Sequence, residues 1–83
     1  MLKLRPNCEC CNTDLAGDSR EAFICSFECT FCARCANETL EGRCPNCGGE
    51  LLRRPTRALD KLQKYPASTE RVYNPEGCGN RVA

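Results

Sequence analysis

The stretch CSFECTFCARC, residues 25–35, places four cysteines within eleven residues and decides how this chain folds. Further cysteine pairs on either side extend the pattern to four closely spaced pairs. Thiolates separated by two or three residues can bind one metal ion, because the intervening turn directs both side chains inward. Two complete four-ligand sites can therefore be built from Cys8, Cys11, Cys25, Cys29, Cys32, Cys35, Cys44 and Cys47.

Length and composition favour metal ions over disulfides as the stabilising element. The chain has 83 residues, 10 Cys, 3 Phe and no Trp, so its hydrophobic core must be small. Disulfide frameworks are typical of secreted proteins, whereas residues 1–8 contain no apolar signal-peptide segment. There is also no apolar run long enough to span a bilayer. We therefore expect a cytoplasmic protein whose thiols are reduced and bind metal.

The absence of histidine makes every expected protein ligand a cysteine. Four thiolates close a tetrahedron around Zn²⁺ and leave no position for water, which is the structural kind of zinc site. We therefore expect two structural zinc ions per chain. The sequence also has no Ser/His/Asp or Cys/His arrangement and no glycine-rich phosphate loop, so we expect neither catalytic residues nor an enzyme.

Spacing alone leaves the assignment of ligands to ions open. In a sequential pairing, the first four of the eight cysteines hold one ion and the last four hold the other. In an interleaved pairing, the first and third pairs share one ion, and the second and fourth pairs share the other. An iron–sulfur cluster is a third alternative, because Cys29, Cys32 and Cys35 repeat the first three ligands of a ferredoxin motif. However, eight residues rather than three separate Cys35 from Cys44.

Residues 23–35, followed by Leu40 and by the sequence CPNC at 44–47, resemble a RING finger. Phe31 stands where that family has a core aromatic residue, and Cys29 stands where it usually has histidine. The resemblance implies a small metal-stabilised α+β fold of the RING-like, treble-clef type, with a short hairpin and a short helix. It also implies interleaved sites: Cys8, Cys11, Cys32 and Cys35 hold the first zinc ion, and Cys25, Cys29, Cys44 and Cys47 hold the second.

RING ubiquitin ligases bind their conjugating enzyme through a few surface positions beside the zinc ions. The matching positions here hold Glu9-Cys10, Thr39 and Gly48, which all depart from that family's pattern, so ligase activity is not expected. The chain from Met1 to Leu51 also resembles a family of short cysteine-rich bacterial proteins of unknown function. That second resemblance implies a bacterial setting but no activity.

Local patterns predict the elements around the cysteines. We expect a short strand at Phe23-Ile24 and one or two helical turns over residues 36–41, ended by Gly42. The segment 44–49 is typical of a zinc knuckle, in which glycine after the second cysteine permits a positive φ. Cys10 lies inside the first pair and is expected to be a small, partly buried filler, whereas Cys78 is expected to be an incidental thiol.

Charge divides the chain near residue 52. Residues 1–52, the expected two-zinc domain, hold 5 Lys and Arg against 8 Asp and Glu. Each four-thiolate zinc site would add a formal charge of about −2 to this acidic body. Residues 53–83 form a basic C-terminal extension with 7 Lys and Arg against 3 Asp and Glu. In this extension we predict a helix over residues 57–65, ended by Pro66, and a loose end from Asn74 onward.

These features predict a binding protein rather than a catalyst. As a protein-interaction module, the chain would offer Leu59, Leu62 and Tyr65 on one helix face to a protein partner, unless that face packs back onto the body. The alternative is nucleic-acid binding, although the acidic body would repel phosphate. In that alternative Tyr65 and Tyr73 would stack on bases. The basic stretch would comprise Arg53, Arg54, Arg57, Lys61, Lys64 and Arg71.

Overall fold

Three short antiparallel strands hold the centre of the protein, in a computed structural model that describes residues 1–74. Strand β1 (Ala22–Ile24) pairs with β2 (Thr30–Cys32) as a hairpin and with β3 (Leu52–Arg53) on its other side, giving the order β2-β1-β3. Phe23 lies opposite Phe31 in the hairpin and opposite Arg53 across the other pair. The predicted strand at Phe23-Ile24 and the α+β class are therefore confirmed.

A widened helical turn follows the hairpin over Cys35–Thr39. Its hydrogen bonds have the long π-helical spacing, since the Leu40 N–H donates to the Cys35 carbonyl at 2.8 Å. Gly42, with φ of +80°, ends the turn and donates its N–H to the Ala36 carbonyl at 2.7 Å. The sequence predicted both the helical turn and its terminating glycine, but not the π-helical spacing.

Cysteine makes up much of the buried core. Among the described residues, Phe31 is 1% exposed and Leu40 is 5% exposed, and both pack in one cluster with five buried cysteines. A core with so few large apolar side chains stabilises a chain of this length only marginally. The buried thiols therefore occupy the place where a larger domain would have aliphatic side chains. Phe31 is buried, as expected from the sequence.

The segment that follows β3 packs along the body through backbone and arginine hydrogen bonds. Arg54 is only 1% exposed, and its guanidinium donates to the carbonyls of Arg5 at 3.0 Å and Ala16 at 2.9 Å. Farther along, Ser68 donates its N–H to the Leu4 carbonyl at 2.8 Å. Residues 53–74 are thus attached to the body at several points along their length.

The only regular helix in residues 1–74 is α1, which spans Leu59–Lys64 and is shorter than the predicted range 57–65. The Arg57 N–H bonds to the Gly17 carbonyl at 3.1 Å and its side chain to the Leu2 carbonyl at 2.9 Å, which ties that residue to the body. Helix α1 therefore begins after Ala58 without a side-chain cap. No helix in the described part of the chain is both long and apolar enough to cross a membrane.

The predicted face of α1 is divided between body and solvent. Leu62 lies against Gly17, where an added Cβ would approach the Leu62 Cδ2 to 2.6 Å. Leu59 is 68% exposed and Tyr65 is 42% exposed. Of the predicted helix face, therefore, only Leu62 packs against the body. The predicted loose end and Cys78 lie outside the described residues, except that Asn74 donates its N–H to the Glu9 carbonyl at 2.9 Å.

Candidate metal centres

The first cluster of thiols joins two segments that are distant in sequence. Its four sulfur atoms all lie within 4.8 Å of one another and belong to Cys8, Cys11, Cys32 and Cys35. The Sγ atoms of Cys11 and Cys32 are 3.7 Å apart. A tetrahedral site with Zn–S bonds of about 2.3 Å has sulfur atoms about 3.8 Å apart. The cluster therefore has the size that a tetrahedral metal ion requires.

The second cluster contains the other two pairs and is less regular. The sulfur atoms of Cys25, Cys44 and Cys47 lie within 4.8 Å of one another. Cys29 stands beside this group of three, and its carbonyl accepts a hydrogen bond from the Cys25 N–H at 3.3 Å. The structure thus brings together three of the four thiols expected at this site, and it places the fourth residue beside them through a backbone hydrogen bond to Cys25.

Backbone N–H groups point at the sulfur atoms of both pairs in the second cluster. The N–H of Phe27 donates to the Cys25 sulfur at 3.3 Å, and the N–H groups of Asn46 and Gly49 donate to Cys44 and Cys47 at 3.4 Å. Such donors favour the thiolate over the thiol, because they stabilise negative charge on sulfur. Gly48, with φ of +77°, closes the turn after Cys47 as the sequence predicted. The donor set therefore suits a cation held by thiolates.

Burial sets the protonation of several of these thiols in the absence of metal. It raises the pKa of Cys8, Cys29 and Cys35, and it raises the pKa of Cys44 to about 12. At the exposed Cys11, burial acts to raise the pKa, but hydrogen bonds with Thr13, Cys8 and Cys32 together outweigh it and lower the pKa to about 7. Most of the buried thiols therefore carry protons that a bound metal ion must displace.

The grouping is interleaved, with the first and third pairs together and the second pair beside the fourth. The sequential pairing would require Cys25 to lie with Cys8, which the structure does not show. The ferredoxin-like alternative would require Cys29 to join Cys32 and Cys35, whereas those two lie with Cys8 and Cys11, and Cys29 is hydrogen-bonded to Cys25 through the backbone. The thiols of residues 1–74 therefore form two separate clusters of four and three, with Cys29 beside the second.

Cys10 lies outside both clusters, so the first pair contributes Cys8 and Cys11. It is half-buried and packs against the hydrophobic core, as expected for a small filler. However, Cys10 is disulfide-bonded and not a free thiol. The prediction of its packing is confirmed, and the assumption that it is a free thiol is wrong.

A buried carboxylate beside the second cluster was missed by sequence reasoning. Glu9 is 4% exposed, and its Oε1 accepts a hydrogen bond from the Asn46 side chain at 3.0 Å. From the sequence, Glu9 was noted only as a departure from the usual RING surface residue. Its position between two ligands of the first site was visible, but glutamate is rarely buried, so nothing in the pattern indicated that it would face inward.

The cations expected to form a basic stretch are partly used within the fold. Arg54 and Arg57 donate to backbone carbonyls, and Arg71 pairs with Asp14 at 2.8 Å and bonds to Asn12. Arg53, Lys61 and Lys64 are exposed, as are Tyr65 and Tyr73. Half of the six predicted phosphate-binding cations are therefore committed to intramolecular contacts.

Comparisons with known proteins find a relative and a matching family model. An uncharacterised protein of Rhizobium meliloti is 67% identical over 78 residues, which cover 94% of this chain and 93% of the relative. No solved structure matches the chain. The family model described as protein of unknown function (DUF1272) matches residues 1–57, which contain the seven clustered cysteines and Cys29. The chain therefore belongs to the DUF1272 family of proteins of unknown function.

Proposed function

We propose that this protein is a structural zinc-binding protein with a RING-like, treble-clef cross-brace. In this proposal one ion is held by Cys8, Cys11, Cys32 and Cys35, and the other by Cys25, Cys29, Cys44 and Cys47. The observation that carries the proposal is the interleaved grouping, in which four sulfur atoms from two distant segments lie within 4.8 Å of one another. Two such sites would cross-link a chain whose apolar core is small.

Cysteine-to-serine variants test the ligand set. Cys11→Ser and Cys47→Ser each remove one proposed thiolate, so each variant is expected to bind about one zinc ion per chain, or to unfold. Cys10→Ser is the comparison variant: it breaks the disulfide of Cys10 but removes no proposed ligand, so it should keep both ions. Native mass spectrometry of the three variants measures this directly. Equal zinc loss in Cys10→Ser and Cys11→Ser would show that the ligand assignment is wrong.

We further propose that the zinc-stabilised body serves as a protein-interaction module. Supporting this, β3 borders an open groove of about 490 Å³ that includes the apolar side chains of Leu2, Ile24, Leu52 and Pro55. Leu52 is 61% exposed although it belongs to the sheet. Exposed apolar side chains beside a groove are typical of surfaces that bind other proteins. The groove shifts the proposed contact from helix α1, where Leu62 packs on the body, to the sheet edge.

A pair of leucine substitutions distinguishes the groove from the helix. A photo-crosslinking residue in the groove at Ser26 would identify a partner in cells of the native organism. Leu52→Asp should abolish that crosslink, and Leu59→Asp on α1 should leave it intact, because both leucines are exposed but only Leu52 lines the groove. Zinc content should stay unchanged in both variants. Loss of the crosslink with Leu59→Asp alone would place the interaction on the helix instead.

A further inference from the structure

Glu9 lies within the first cysteine pair in the sequence. Its side chain, however, hydrogen-bonds to residues in the segments that carry the thiols of the second site. It lies between Cys8 and Cys11, and its carboxylate is almost completely buried. A buried carboxylate is costly unless hydrogen-bond donors and a counter-charge surround it. The groups that contact the two carboxylate oxygens should therefore explain why a glutamate is buried at this position.

The first partner is Thr30, the residue that follows Cys29. The Glu9 N–H donates to the Thr30 carbonyl at 3.0 Å, and the Thr30 N–H donates back to the Glu9 Oε2 at 3.3 Å. Thr30 is fully buried in β2. This reciprocal contact fixes the backbone just after Cys29 against the first cysteine pair.

The second partner is Asn46, which lies inside the pair formed by Cys44 and Cys47. Its side-chain N–H donates to the Glu9 Oε1 at 3.0 Å, and its backbone N–H donates to the Cys44 sulfur at 3.4 Å. Asn46 thus links Glu9 to the Cys44 sulfur of the second cluster. Through its bonds to Thr30 and Asn46, Glu9 connects the segment that carries Cys29 to the segment that carries the fourth pair.

A carboxylate suits this position better than an amide would. An ionised glutamate offers two acceptor oxygens, and here one receives a donor from each segment of the second cluster. Glutamine could supply only one acceptor, and its amide would face the Thr30 N–H or the Asn46 side chain as a second donor. Arg5 supplies positive charge at 3.6 Å from the Glu9 Oε2, which offsets part of the cost of burial.

We propose that Glu9 and Asn46 are positioning residues of the second metal site, holding Cys29 beside Cys25 so that four thiolates can close on one ion. The inference rests on the proposed zinc function and adds to it a coupling between the sites. Binding of metal by Cys8 and Cys11 orders the segment that carries Glu9, and Glu9 in turn orders the second site. Partners of metal ligands change metal affinity by about 10–100-fold when they are removed.

The test uses the full chain loaded with two equivalents of Zn²⁺ and measures how fast each site loses protection against a thiol-alkylating reagent. Cleavage after Arg34, Arg43 and Arg53 separates the sites, because Cys35 then lies in the peptide 35–43 and both Cys44 and Cys47 in the peptide 44–53. Mass spectrometry of these two peptides therefore reports the first and second sites independently within one sample.

Asn46→Ala and Glu9→Gln are expected to speed alkylation of Cys44 and Cys47 by about 10–100-fold. Alkylation of Cys35 should change by less than about threefold. Asn46 is exposed, so its truncation should leave the fold intact even where Glu9→Gln disturbs it. The control is Glu21→Gln, which changes an exposed glutamate in the same way and should leave both rates unchanged.

Selective loss of protection at the second site in Asn46→Ala would support the positioning role. Unchanged rates in Asn46→Ala, or equal acceleration at both sites, would overturn it, because neither result distinguishes the second site. If the unsubstituted protein shows no zinc-dependent protection at either peptide, the proposed function itself fails, which is a distinguishable result.

Discussion

Replacing Arg54 by alanine should destabilise the protein strongly, although the residue belongs to the basic extension and touches no thiol cluster. Its guanidinium is 1% exposed and donates to the carbonyls of Arg5 and Ala16, which lie in two different segments of the body. Its backbone N–H also bonds to the Ala22 carbonyl at 2.7 Å, and alanine would keep that bond. The substitution therefore isolates the contribution of the side chain.

The magnitude follows from two opposing terms. Hydrogen bonds that involve a charged group contribute about 1.5–3 kcal/mol each, and their loss leaves two carbonyls without this donor. The opposing term is the cost of burying the cation: burial and the neighbouring Arg57 lower the pKa of Arg54, and its Nε has no hydrogen-bond partner. We expect a net loss of about 3 kcal/mol, which for a domain of this size lowers Tm by about 12–24 °C.

Urea unfolding at a fixed free zinc concentration measures the difference, with Arg53→Ala as the matched control. Arg53 is the preceding residue, at the end of β3, but it is exposed, so its truncation should change the free energy of unfolding by less than about 0.5 kcal/mol. If Arg54→Ala were no more destabilising than Arg53→Ala, the cost of burying the guanidinium would equal the gain from its hydrogen bonds. The view that Arg54 anchors the extension to the body would then be refuted.

Three further predictions follow from the packing, the protonation and the charge of the described residues. Gly17→Ala should lower the free energy of unfolding by about 1–3 kcal/mol in the same urea assay, because the added Cβ would press on Leu62, and an unchanged value would show that α1 yields freely. Zinc affinity in a chelator competition should fall with decreasing pH, by about tenfold per unit for each proton displaced. The raised pKa values of Cys35 and Cys44 require such displacement, and a pH-independent affinity would contradict it. Binding to single-stranded nucleic acid should be weak, since Arg54 and other cations are engaged internally, and a tight, steeply salt-dependent affinity in a fluorescence titration would contradict this.

The sequence predicted which cysteines form thiol clusters, because paired metal ligands are recognisable from their spacing. Pairs such as Cys44 and Cys47 can be recognised without any structure, and Gly48 and Gly42 have the positive φ values that their positions suggested. The assignment of pairs to clusters needed more than spacing. Sequential and interleaved groupings have the same local turns and differ only in long-range contacts, so the resemblance to RING fingers supplied that information.

Other features could not be predicted because tertiary contacts override local preference. The pattern of the extension predicts a helix from residue 57, but hydrogen bonds from Arg57 to the body delay its start until after Ala58. Arg54 and Glu9 are charged residues that local rules place on the surface, yet both are buried. The side-chain hydrogen-bond partners of both residues lie in segments far away in sequence, and no single-sequence pattern encodes such pairings.

The central claim is that two four-thiolate zinc sites stabilise this fold, and native mass spectrometry combined with metal analysis tests it most directly. The purified, unsubstituted chain is predicted to be colourless and to carry two zinc ions. Its mass, measured under native conditions, should fall to that of the metal-free chain when a chelator removes the zinc. A brown protein containing iron, or a folded chain carrying no metal, would contradict the claim.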